Sequence, residues 1–297
     1  MQPSILDHYL NFSLFTYPGL YCEKLKKDLP NSIEEIGLLV RKQCIHRATL
    51  RNGNTGTNKD LRYGDMNKVP WFRQPEDDNL PSASAMISEL YRRDEKGFTL
   101  NRKEENKIIV TCRFVAILTA SILKSKGIPT RVRSGFAPYF MPNKLNKSFD
   151  HWINQYWSYQ EKRWITIDVD GSLEDYISFN PYDIPDGVFD FAADAWIKSR
   201  NQEVSPERFF NAGNFEGLMP IAWELFYDFH SLMNSEIIYL HVPPMVNCEN
   251  FPKISEMDLH KIDKLAEMMQ KPDENFDELK KMWNTTKEFR ILSGALL

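Results

Sequence analysis

The alternation of apolar and polar positions is sharpest in the middle of the chain. From Cys112 to Lys126 the residues Phe114, Val115, Ala116, Ile117, Leu118, Ala120, Ile122 and Leu123 leave almost no polar face. A helix that is apolar nearly all round is expected to be buried on most sides. Thr111 is placed to cap its N-terminus. Gly127 can take the left-handed position just past its end, and Pro129 blocks continuation. Lys124 and Lys126 fall in the last turn, where cations suit the helix dipole. Three strands are expected next, over 130–137, 151–158 and 163–169. The last two are rich in Trp, Tyr, Ile and Thr, and the short polar stretch Tyr159-Gln160-Glu161-Lys162 between them predicts an antiparallel hairpin.

The flanks read differently. Ser32 followed by Glu35 has the form of a capping box, and Ile33, Ile36, Leu39 and Val40 share one helical face. Residues 52–58 read as loop, as does 70–81 with its acidic Glu76, Asp77 and Asp78. A helix is expected over 83–93. Beyond 170, Pro181, Pro185 and Pro206 break the chain between helices expected over 189–200 and 221–233. Amphipathic helices are expected over 258–269 and 274–289. With no internal repeat and no linker, the expectation is one domain over 1–297. Its core motifs lie at about 105–170, and 1–104 and 171–297 form mainly helical or loop extensions.

Composition narrows the class. Hydrophobic residues make up 42% of the 297, charged residues 26%, and 19 Phe, 12 Tyr and 7 Trp supply enough bulk for a sizeable core. The formal charge is −4 with no long basic run, so a nucleic-acid partner is not expected. No apolar run approaches the roughly 18 residues of a membrane span, and the N-terminus lacks the pattern of a secretory signal. A cytoplasmic location is the expectation. The four cysteines, at 22, 44, 112 and 248, form no CxxC pair and have no His at zinc-finger spacing. They are expected as reduced thiols, with no metal and no organic cofactor.

Cys112 is the residue with chemical promise. It opens the buried helix, where free backbone N–H groups and the helix dipole favour a thiolate. Cysteines in such positions beside an imidazolium reach pKa values of roughly 3.5–7.5. The same N–H groups can stabilise an oxyanion. The hairpin suggests partners. If Ser158 opposes Glu161 across a two-residue loop, or Trp157 opposes Lys162 across a four-residue loop, then His151 lies directly opposite Asp168. Their Cβ atoms would then be about 4.5–5.5 Å apart. A carboxylate at that range can orient an imidazole and stabilise its protonated form.

These motifs resemble the core of the transglutaminase-like superfamily. Cys112-Arg113-Phe114 through Gly127-Ile128-Pro129-Thr130-Arg131 resembles its cysteine helix and following "GIPxR" strand. Asp150-His151-Trp152 resembles its histidine strand, although many relatives place a small residue between His and Trp. Arg163-Trp164-Ile165-Thr166-Ile167-Asp168 resembles its aspartate strand. The likeness covers about residues 105–170. It implies an α+β, papain-like core with the Cys-bearing helix packed on an antiparallel sheet. It also implies a triad of Cys112 as nucleophile, His151 as general base and acid, and Asp168 as orienter. The activity implied is acyl transfer from a peptide, amide or thioester through a thioacyl-enzyme, by a peptidase or amidase. The superfamily also holds amide-forming acyltransferases that use an amine acceptor, and non-catalytic binding proteins. Trp71, upstream of the Cys, is a candidate second oxyanion donor. Arg131 and Arg133 could hold a substrate carboxylate, but read first as solvated surface arginines. Asp228 and His230 lie two apart in an expected helix, so they face different directions and cannot form a dyad by adjacency. His8, His46, His241 and His260 have no evident partner.

Overall fold

The computed structural model describes residues 1–47, 65–70, 72–73, 75–140, 147–173, 177–239 and 241–291. The loop expected over 52–58 and the candidate Trp71 lie outside the described residues. In chain order the helices are α1 (Pro3–Leu10), α2 (Cys22–Asp28), α3 (Ile33–Gln43), α4 (Ala83–Arg93), α5 (Cys112–Ser125), α6 (Ala192–Arg200), α7 (Leu218–Leu232), α8 (Glu256–Met269) and α9 (Phe276–Thr285). The strands are β1 (Cys44–His46), β2 (Ile108–Val110), β3 (Thr130–Ala137), β4 (Ser148–Ser158), β5 (Arg163–Ile167), β6 (Asp190–Phe191) and β7 (Phe209–Phe210). Helices and strands are thus mixed, as an α+β class requires. The chain divides into two compact units: Met1–His8 with Arg131–Trp152 and Pro185–Leu297, and Tyr9–Thr130 with Ile153–Ile184. Strand β4 contributes its first five residues to the former and its last six to the latter.

The unit holding Tyr9–Thr130 is built round α5. Every residue of this helix is buried, as its all-round apolar pattern demands. Helices α2, α3 and α4 pack against it. Its core joins Phe114, Ile117, Leu118, Ile122 and Leu123 to Ile36, Val40, Met86, Ile87, Leu90, Ile165 and Ile167. The polar members of the buried helix carry their own partners. Lys124 Nζ donates to the Asn11 carbonyl at 2.9 Å, and the Arg113 guanidinium lies 4.9 Å from the Phe15 ring centre. Gly127 sits at φ +77°, with Gly127 N–H to the Lys124 carbonyl (2.9 Å) and Ile128 N–H to the Leu123 carbonyl (3.0 Å). That pair of bonds is a Schellman stop, as Gly127 and Pro129 foretold. The capping serines also behave as expected: Ser32 accepts from Glu35 N–H at 3.4 Å.

The β4–β5 hairpin exists, but its register differs from both expected ones. Ser158 pairs with Arg163 and Trp157 with Trp164, through to Asn154 with Ile167. The pairing is displaced by two residues. Lys162 adopts φ +55°, donates its N–H to the Ser158 carbonyl at 2.8 Å, and so places all four residues 159–162 in the loop. The Ser158 hydroxyl accepts from Glu161 N–H at 3.1 Å. The register that results stacks Trp157 edge-on to Trp164 at 5.6 Å and bonds Gln155 to Thr166 at 3.0 Å. Cross-strand pairs of this kind stabilise one register over another. β5 ends at Ile167, so Asp168 falls just past the ladder, in line with Ile153 and not with His151.

In the unit holding Pro185–Leu297, β3 lies between β4 and β6, and β7 pairs in parallel with the start of β4. The helix expected over 189–200 begins only at Ala192, because Asp190 and Phe191 instead pair with Phe136 and Gly135. The close approach requires glycine: a Cβ on Gly135 would fall 2.3 Å from the Asp190 carbonyl oxygen. Helix α6 packs on α7 and α8, with Trp196 fully buried and its indole N–H donating to Asp263 at 2.8 Å.

Candidate functional site

Cys112 is the first residue of α5 and is 7% exposed. The chain enters it from β2 through Thr111, whose backbone is extended (φ −95°, ψ 177°) and whose carbonyl accepts from Phe114 N–H at 3.0 Å. The Thr111 side chain does not cap the helix. Both its N–H (3.0 Å) and its hydroxyl (2.9 Å) donate to the charged acceptor Asp77 Oδ1. One residue earlier in the acidic cluster, Glu76 Oε2 accepts from Ile109 N–H at 2.9 Å, while Arg73 and Arg93 bracket its carboxylate. The stretch read as an acidic loop is therefore the clamp that fixes β2 as it runs into Cys112.

Asp168 is buried in the same unit. Its N–H donates to the Pro181 carbonyl (2.8 Å) and its Oδ1 accepts from Gly171 N–H (2.7 Å), which closes a tight turn over 168–171. Asn154, paired with Ile167, donates its Nδ2 to the Ala116 carbonyl at 3.0 Å. That bond ties the end of the hairpin to the second turn of α5, one turn past Cys112. The 168–171 turn also presents Asp170, which is buried. Its Oδ1 lies 3.5 Å from Arg41 Nε and its Oδ2 lies 3.3 Å from His46 Nε2. His46, which has no evident partner in sequence, is thus paired with a carboxylate. Cys44, two residues before it, is fully buried and its thiol is pushed up to about 12, chiefly by burial, so it stays protonated.

His151 belongs to the other unit. It is buried on β4 with Phe140 edge-on at 4.6 Å and Phe189 at 6.5 Å. Its neighbours point the other way, as strand alternation requires: Asp150 Oδ1 accepts from Ala212 N–H at 3.0 Å, and Trp152 packs 5.5 Å from Tyr227. The aromatic walls hold the ring in one orientation.

Arg131 and Arg133 are not surface residues. Arg131 Nη1 bonds Asp273 at 2.7 Å, and Arg133 bonds Asp228 through Nε and Nη2, both at 2.8 Å. One turn before Asp228, the buried Glu224 accepts from the Ser134 hydroxyl. Its carboxyl is held well above the usual carboxylate range by burial and then by the Asp150 charge. His230 Nε2 lies 3.1 Å from the Phe289 carbonyl, and His8 Nε2 lies 3.0 Å from that of Leu232. Sequence reasoning missed these pairs because their members lie up to 224 residues apart.

Among the described residues no group of three or more His, Cys, Asp or Glu is arranged to hold a metal ion, and no helix is long and apolar enough to cross a membrane. No family model and no curated protein matches the chain. Among solved structures, a candidate cysteine protease from Cytophaga hutchinsonii is similar at 14% identity and a TM-score of 0.35. The likeness covers 66% of this chain and spans half the length of that protein.

Proposed function

We propose that the chain is a cysteine-nucleophile acyl-transfer enzyme that acts on a peptide, amide or thioester. The observation that carries the proposal is the position of Cys112, first in a helix buried along its whole length and entered through a clamped, extended Thr111. Backbone N–H groups and the dipole at that end stabilise a thiolate and, later, an oxyanion. The sequence motifs assign the remaining roles, with His151 as base and acid and Asp168 as its orienter. In this reaction the Cys112 sulfur bonds to the carbonyl carbon, and the bond to the amine or thiol leaving group breaks. The leaving group takes the proton from the imidazolium of His151. Water or an amine, deprotonated by the same imidazole, then displaces the thiol and releases the acyl group.

Intact-protein mass spectrometry after brief exposure to a p-nitrophenyl ester tests this. A single acyl adduct mapping to Cys112, with turnover lost in Cys112→Ala, is expected. Labelling elsewhere, or turnover that survives the substitution, refutes it. Adding a primary amine to the same assay separates hydrolysis from transfer.

A further inference from the structure

Cys112 shares its unit with a second imidazole that the sequence motifs do not include. β1 and β2 run in parallel with His46 opposite Val110, and Arg47 N–H donates to the Val110 carbonyl at 3.0 Å. Cys112 follows Val110 by two residues of extended chain, about 6.6 Å. Asp77 binds both sides of this corner, accepting from Thr111 and lying 3.3 Å from Arg47. On its other side His46 meets Asp170, two residues past Asp168 in the turn that Asp168 closes. The His46 side chain is 19% exposed, so it can exchange protons with solvent, whereas Asp170 at 4% cannot turn away to water.

We infer that the His46–Asp170 pair is a positioning dyad for Cys112, coupled to the charge state of its thiol. The inference rests on the reading of Cys112 as nucleophile. Asp170 fixes the His46 ring and Arg41 fixes Asp170, so the imidazole is held in place at the corner from which the Cys helix starts. The charged groups around it are Asp170 and Arg41 on one side, and Arg47 and Asp77 on the other. Cys44 on the same strand stays neutral and also feels Lys107 and Arg102, and β2 opposite contributes the apolar Ile108, Ile109 and Val110. An imidazolium here favours the thiolate. Over about 8 Å at an effective dielectric near 20, the coupling corresponds to a shift on the order of one pH unit.

Linkage makes the test reciprocal. The rate of Cys112 alkylation by iodoacetamide is followed against pH in the wild type, in His46→Gln and in Asp170→Asn. Gln keeps an N–H for Asp170. His46→Gln is expected to move the alkylation midpoint up by about one unit, and Asp170→Asn, which removes an anion as well as the partner of the ring, is expected to move it by less. Independently, the NMR titration of the His46 ring is compared between the wild type and Cys112→Ser, a mild change that leaves the cluster untouched. The His46 midpoint is expected to fall when the thiolate is removed. An unchanged His46 titration, or an unchanged alkylation profile in folded His46→Gln, overturns the dyad. If wild-type Cys112 itself alkylates like a free thiol, the nucleophile reading fails, and that outcome is distinct from both.

Discussion

Asp228→Ala isolates what the buried ion pair behind β3 contributes. Asp228 is 0% and Arg133 4% exposed, and the carboxylate accepts from Arg133 Nε and Nη2 at 2.8 Å and from Ser134 N–H at 3.1 Å. Removing the acid takes away the carboxylate that both guanidinium nitrogens bond, in a buried site where the Phe191 ring lies 4.4 Å from the guanidinium carbon. Breaking one side of a buried pair costs about 3–5 kcal/mol. At about 2 °C per kcal/mol for a chain this size, the melting temperature is expected to drop by roughly 6–10 °C. The paired variant Arg133→Met with Asp228→Leu removes both charges and keeps the volume. It is expected to cost under about 1.5 kcal/mol, because apolar replacement of a whole pair is often near neutral. Urea midpoints of the wild type, Arg133→Met, Asp228→Leu and the double variant complete the cycle. A double variant as unstable as Asp228→Ala, or a single-variant shift under about 2 °C, refutes the argument. The loss would then come from packing or from solvent reaching the guanidinium.

Two pH-dependent predictions accompany it. Glu224 titrates above its unfolded value, so the unfolded chain ionises there before the folded one does, and stability is lost as pH rises above the ordinary carboxylate range. Glu224→Gln is therefore expected to be more stable than the wild type at pH 7 and no more stable at pH 4, read from urea midpoints at both. His230 shows the opposite slope, because burial lowers it to about 4. Its contribution of up to about 3 kcal/mol is complete above pH 6.5 and disappears as pH falls toward 4. In His230→Gln, stability is expected to fall less between pH 6.5 and 4 than in the wild type, measured by denaturant melts across that range.

The elements that could be read in the sequence are those whose pattern has a single physical solution. A segment as apolar as Phe114–Leu123, interrupted by just Thr119 and Ser121, can only be a buried element, and Gly127 with Pro129 fixes where it stops. Ser32 caps its helix at the position that its spacing to Glu35 marks. Thr111 makes no capping bond, and its hydroxyl is committed to Asp77, 34 residues upstream. The helix expected from Phe189 loses its start to β3 for the same reason: a partner distant in sequence takes the backbone groups of Asp190 and Phe191.

The hairpin shows why the register beside the candidate site was not legible. A one-residue slip would turn every apolar side chain of β5 toward the wrong face, and the alternation of Trp164, Ile165, Thr166 and Ile167 excludes it. A two-residue slip keeps every face, so alternation is blind to it. The decision falls to Lys162, which accepts a left-handed conformation, and to Trp157 meeting Trp164 across the ladder. Direct opposition of His151 and Asp168 was an inference about register, and register is the quantity that the apolar pattern leaves undetermined. The same slip has a chemical consequence. With β5 ending at Ile167, Asp168 lies past the ladder and its carboxylate accepts from Gly171 N–H, and that turn carries Asp170 to His46. One loop conformation therefore sets the surroundings of two acids at once, and substitutions that alter the 159–162 turn should be felt at both.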